Sequence, residues 1–191
     1  MTTIDLQSFC AKDDVRSYAT APFVLDGHTY ALDGHIAVRV PGGEPDPEQK
    51  VPDTIAAALR KMFATEYADF EPLPQIPAPT TCPDCNGTGT VEEAECDDCN
   101  GAGEFAHGSH EYECKECDGT GTVRDVECNN RHCRDGELFE PMKIGVAFFD
   151  VRYLHRISKL PNARIRVVGP ESVAAFIFDG GEGRVMPCRG L

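Results

Sequence analysis

The chain has 191 residues, 41% of them hydrophobic, and a formal net charge of −14, which allows one sizeable core or one core with a small satellite. No apolar run approaches the ~20 residues of a membrane-spanning helix, and MTTIDLQSFC lacks the basic and apolar stretches of a secretion signal; the expectation is a soluble, cytoplasmic protein without membrane contact, whose ten cysteines bind metal rather than form disulfides. Charge is uneven, with 15 Asp and Glu against 4 Lys and Arg in residues 79–137 but 5 against 8 in 138–191, so the middle segment repels a phosphate backbone and favours a basic protein surface as partner.

In chain order, a short helix is expected over residues 6–12. A strand meander follows, FVL-DG-HTYAL-DG-HIAVRV, punctuated by Asp26-Gly27 and Asp33-Gly34; Asp-Gly between alternating apolar residues is a strong hairpin signal. Residues 41–52 read as a proline-rich loop, and 53–65 (DTIAAALRKMFAT) as a helix with Asp53 at its N-cap and Ile55, Ala58, Leu59, Met62 and Phe63 on one face. The prolines of EPLPQIPAPTT separate this helix from the cysteine segment. Beyond Glu137 the pattern predicts a strand over 143–149, a helix over 151–160, and strands over 163–168, 174–178 and 183–186. Neither flank alone reads as a complete domain. The simplest architecture is one α+β domain built from 1–78 and 138–191, interrupted by a small two-zinc β-hairpin module at 79–137, since insertion at a loop costs little closure entropy.

Within that segment stand CPDCNGTG (82–89), CDDCNGAG (96–103) and CKECDGTG (114–121), followed by the irregular CNNRHCRDG (128–136). Two thiolates in C-x-x-C share one tight turn and can bind one tetrahedral zinc, and the glycines let backbone N–H groups turn toward sulfur. The first cysteines are spaced by 14, 18 and 14 residues, a symmetry that predicts nested hairpins: Cys96, Cys99, Cys114 and Cys117 around one Zn2+, and Cys82, Cys85, Cys128 and Cys133 around a second. The alternative is a disulfide or redox module. His107 and His110 read as solvated hairpin-tip residues.

These CxxCxGxG-type repeats resemble the cysteine-rich domain of the DnaJ family of J-domain co-chaperones over about residues 80–137. The fourth repeat departs, with four residues between its cysteines and only Gly136 of the glycine pair, which leaves His132 as an alternative to Cys133. No His-Pro-Asp triplet occurs, so the resemblance implies protein binding without the recruiting function of a J domain.

The flanks carry a second resemblance. HTYALDGHIAVRVP (28–41), VPDTIAAALRKMF (51–63) and the tail MKIGVAFFDVRYLHRISKLPNARIRVVGPESVAAFIF, ending in VMPCRGL, resemble the bacterial DNA polymerase sliding clamp, with its antiparallel sheets and two helices. That resemblance implies an apolar pocket for partner peptides at Gly34, His35, Ile36, Ala37, Val185, Met186, Pro187, Cys188 and Arg189; ordinary core packing is the alternative for Ile36, Val185 and Met186. It also implies DNA contact through Arg152, Arg156 and Lys159, one stripe of the predicted helix, with Arg164 and Arg166; a solvated helix face is the alternative. Clamps carry three such domains, with the pocket lying across two of them, and this chain has about one, so the two halves of the pocket either do not meet or meet only in an oligomer. A clamp-like domain with this insert suits a phage or mobile-element protein.

No G-x-S-x-G, P-loop or H-E-x-x-H motif is present, and eight cysteines in four pairs imply closed structural sites rather than a catalytic metal. The sequence therefore points to a non-enzymatic zinc-binding interaction protein. The alternatives are a DNA-associated accessory factor, a chaperone-like binder of unfolded chains, and a thiol or open-zinc enzyme using Cys10 or Cys188.

Overall fold

In the computed structural model of the chain, which describes residues 4–12, 14–44, 46, 49–108 and 110–189, two turns set the first three strands. Asp26 and Gly27 both take positive φ, 50° and 74°, the conformation of a two-residue hairpin turn. They join β1 (Phe23–Leu25) to β2 (His28–Leu32). At the second turn the Asp33 carboxylate accepts from the N–H groups of His35 and Ile36, at 2.9 and 3.1 Å, and β3 (Ile36–Pro41) returns antiparallel to β2.

The helix expected over 6–12 is only a 3-10 turn, Gln7–Phe9, and a one-turn helix α1 lies at Ser17–Thr20. Phe9 and Cys10 are buried and Cys10 is extended, so core packing takes the backbone out of a helix too short to nucleate by itself. Helix α2 spans Asp53–Ala64 with Pro52, not Asp53, at the cap; proline's fixed φ and missing N–H suit a helix start. It buries Ala56, Leu59 and Phe63, leaving Ile55 and Met62 half-buried and Ala58 exposed. The short strand β4 is Glu71–Pro72.

Next come β5 (Thr90–Glu95), β6 (Glu104–His107), β7 (His110–Glu113), β8 (Thr122–Glu127), β9 (Cys133–Arg134) and β10 (Glu137–Leu138). After them lie β11 (Pro141–Ile144), β12 (Ala147–Asp150), α3 (Val151–Ser158), β13 (Arg164–Arg166), β14 (Ala174–Phe178) and β15 (Gly181–Val185). The single strand predicted over 143–149 is therefore a hairpin: Gly145, at φ 57°, turns the chain between β11 and β12.

The chain divides into two units, 1–79 with 140–191, and 80–139. In the first, an antiparallel seven-stranded sheet runs β1-β2-β3-β15-β14-β13-β4, so strands from both flanks share one sheet, Val38 opposite Gly183 and Ile36 opposite Val185. The side-chain pattern explains the pairing. Ile36, Val38, Phe149, Leu154, Ile157, Phe176 and Val185 form one core, and Phe23, Tyr30, Leu59 and Phe63 form another with α2. Gly183 is required in β15 because a Cβ there would strike the Phe176 ring. Among the described residues no helix is long and apolar enough to cross a membrane.

Candidate metal centres

The second unit is held together by sulfur. Its buried cysteines are Cys82, Cys85, Cys96, Cys99, Cys114, Cys117 and Cys133, with Cys128 half-buried, and few apolar side chains (Val91, Val123 and Leu138) pack against them. The eight form two groups, Cys82, Cys85, Cys128, Cys133 and Cys96, Cys99, Cys114, Cys117, within each of which all sulfurs lie within 4.8 Å of one another. The Sγ atoms of Cys82 and Cys128, Cys85 and Cys133, Cys96 and Cys114, and Cys99 and Cys117 are 3.8 Å apart. A tetrahedron with metal–sulfur bonds of about 2.3 Å has edges of about 3.8 Å, whereas a disulfide needs about 2.05 Å. Each group can thus hold one metal ion, consistent with two zinc ions. Bound there, the metal would cross-link four turns that cannot bury enough hydrocarbon to order themselves.

The turns are built by their glycines. In the inner group the Gly103 N–H donates to Cys99 Sγ at 3.2 Å and the Gly121 N–H to Cys117 Sγ at 3.3 Å. Cys96 N–H donates to the Gly121 carbonyl at 2.9 Å and Cys114 N–H to the Gly103 carbonyl at 2.8 Å, a reciprocal lock between the two repeats. Both glycines have positive φ, and a Cβ on Gly103 would strike the Gly119 carbonyl oxygen, one on Gly121 that of Gly101. The outer group keeps the same crossed bonds, Cys82 N–H to Gly136 and Cys128 N–H to Gly89, at 2.8 and 2.9 Å. The irregular fourth repeat therefore reaches the same geometry as the regular ones. Its extra residues form a turn in which Asn130 accepts from the N–H groups of Cys133 and His132. His132 is exposed and accepts a bond from Arg131, so Cys133 and not His132 completes the outer set.

Thiol acidity follows the same contacts. Burial pushes Cys96 and Cys114 up. At Cys117 burial is outweighed by the Gly121 N–H and the neighbouring thiols, which bring it down to about 7. At Cys85 the N–H groups of Gly89 and Gly87 outweigh burial in the same way, again to about 7. Burial raises Cys133 to about 12.

In the first unit a cavity of about 300 Å3 opens beside the Asp33 turn. Gly34, His35, Ile36, Ala37 and Met186 line it; Val185 is instead fully buried, and Pro187, Cys188 and Arg189 lie outside the lining. The remaining wall comes from Arg16, Tyr18 and Leu32, from Ile55, Ala58, Leu59 and Met62 of α2, and from Val173 and Arg184. The sequence placed those α2 residues on one face, and the half-exposure of Ile55 and Met62 is what the cavity leaves. The basic stripe fares differently. Arg152 is buried and bonded to the Asp150 carboxylate at 3.0 Å, and Arg156 lies 3.5 Å from Asp33. The N-cap at Asp150 draws Arg152 inward, so the expected row is not one exposed face. Lys159 and Arg164 are exposed and Arg166 half-buried.

The two thiolate groups on an antiparallel, mixed α+β frame define a metal-binding chain with two four-cysteine sites. No protein-family model and no curated protein matches it. Among solved structures it is similar to one described as Caulobacter crescentus pol III beta, at 17% identity and a TM-score of 0.35, over 96% of this chain and 62% of that one. The chain thus spans less than two thirds of that relative's length.

Proposed function

We propose that this chain is a non-enzymatic interaction protein, in which an acidic, two-zinc module of DnaJ-like type is displayed on the α+β unit for contact with another protein. The observation that carries the reading is the closed ligand sets. With an ion bound, the four thiolates of each set would fill its tetrahedron and leave no position for water or substrate, which supports the reading. The two thiols outside the sets do not suit nucleophilic chemistry: burial pushes Cys10 up to about 11 and also raises Cys188. What the module presents outward is charge, together with the exposed rings of Phe105 and Tyr112.

The test is affinity capture by the zinc-loaded full chain, compared with the C114S/C117S variant. Partners lost with the variant support the reading, and a capture profile indifferent to the variant refutes it. A second reading, docking of a short apolar peptide, is favoured by the cavity at Gly34–Ala37. Ala58→Glu places a carboxylate on its wall and would abolish such docking while leaving zinc content at two per chain. The DNA-associated reading has less support, since Arg152 and Arg156 already face Asp150 and Asp33.

A further inference from the structure

Within the cysteine unit, an open groove of about 820 Å3 lies between the β5–β8 ribbon and the inner thiolate group. Val91, Ala94, Val123 and Val126 supply half-buried apolar surface, while Glu95, Asp97, Asp98, Glu116, Asp118 and Glu127 around them are exposed. The lining contains one cation, Arg124. Among the described residues none of these six carboxylates is in an ion pair, and four thiolates around a zinc ion would add about −2 beside them. The ribbon is also only two strands wide, so each strand pairs on one side and has no strand partner on the other among the described residues; the backbone groups of Thr90 and Thr122 are met by the Thr88 and Thr120 hydroxyls.

We infer that this groove binds an extended, basic segment of a partner protein, laid along an open edge of the β5–β8 ribbon. Backbone bonds to the edge supply affinity, alternate small apolar side chains meet the valines, and lysines or arginines meet the carboxylates. The inference rests on the module being a protein-contact element, and it adds the chemistry of what is contacted. A nucleic acid meets the wrong sign of charge, and a polyamine can use neither the apolar surface nor the edge.

The test uses the zinc-loaded full chain and a fluorescein-labelled (Lys-Val)4 peptide, followed by fluorescence anisotropy. Glu116→Gln, Asp118→Asn and Glu127→Gln together remove three rim charges; Asp118 has positive φ, as do Asn86 and Asn100 at the matching positions, so asparagine is accommodated. This triple variant is expected to weaken binding by about tenfold with two zincs retained. Glu104→Gln, Glu111→Gln and Glu113→Gln, the same charge change on β6 and β7, should leave it within about twofold. A (Lys-Ser)4 peptide, or (Lys-Val)4 with alternate N-methylated amides, should bind at least about tenfold more weakly than the parent. Equal weakening by both triple variants, or equal binding of all three peptides, reduces the effect to a diffuse acidic field and overturns the groove. So does absence of (Lys-Val)4 binding. A partner captured by the wild-type chain, kept by the rim variant and lost by C114S/C117S would refute the groove alone and leave the interaction reading standing.

Discussion

Gly121→Ala probes the inner metal centre at its least tolerant point. Gly121 sits at φ 77°, and a Cβ there would fall far inside van der Waals contact with the backbone carbonyl oxygen of Gly101. A left-handed conformation costs an alanine about 1–2 kcal/mol, and overpacking against an atom that cannot rotate away adds about 1–3. The sum, about 3 kcal/mol, corresponds to roughly a hundredfold loss of affinity at one zinc site. Gly108→Ala is the matched control: its φ is 66° but nothing lies within 4 Å of the added Cβ, so only the conformational cost applies and zinc affinity should fall by no more than about tenfold. Competition against a chromophoric chelator reads both affinities, and cobalt substitution reports on thiolate coordination. Tight binding of two zincs by Gly121→Ala, at wild-type affinity, would refute the argument that close backbone approach requires glycine here.

Acidification should weaken zinc binding across neutrality. Cys85 and Cys117 are drawn down to about 7 from an ordinary thiol value of 9, so their stabilising contribution is present at high pH and lost as pH falls through about 7; zinc affinity measured from pH 8 to 6 should fall steadily, and a flat profile contradicts this. Cys133→Ser should leave one tightly held zinc and His132→Ala two, as counted by elemental analysis. Stripping metal with a chelator should remove hydrogen-exchange protection from 90–127 while 174–185 keeps its own, because Phe176 and Val185 belong to a hydrocarbon core and the cysteine unit has little of one. Simultaneous loss at both would show that the sheet depends on the metal.

The elements most legible in the sequence were those fixed by local chemistry. Asp26-Gly27 dictates a two-residue turn by its φ preferences, and alternating apolar residues placed β2 and β3 correctly. The pairing of cysteines into an inner and an outer four could be read from spacing alone, since a C-x-x-C turn has few ways to complete a tetrahedron. Less legible were features decided by distant contacts. Residues 6–12 carry helical composition, yet burial of Phe9 and Cys10 limits them to a single 3-10 turn. The periodicity of Arg152, Arg156 and Lys159 is real, but a helical stripe says nothing of where a guanidinium finds its carboxylate, and Asp150 takes Arg152 inside. Tyr18 and Leu32 in the cavity wall gave no sequence signal, because their role depends on α2 lying across the meander.

The two thiolate sets are nested, with 14 residues between Cys99 and Cys114 but 42 between Cys85 and Cys128. Ring-closure entropy rises with the logarithm of contour length, so the shorter ring is favoured over the longer by about 1 kcal/mol before any contact is counted. Once it has closed, the hairpin it creates brings the ends of β5 and β8 together and shortens the path that the longer ring must span. Assembly therefore has a direction, from the middle of the segment outward, and a chain supplied with a single equivalent of zinc will hold it in the innermost turns.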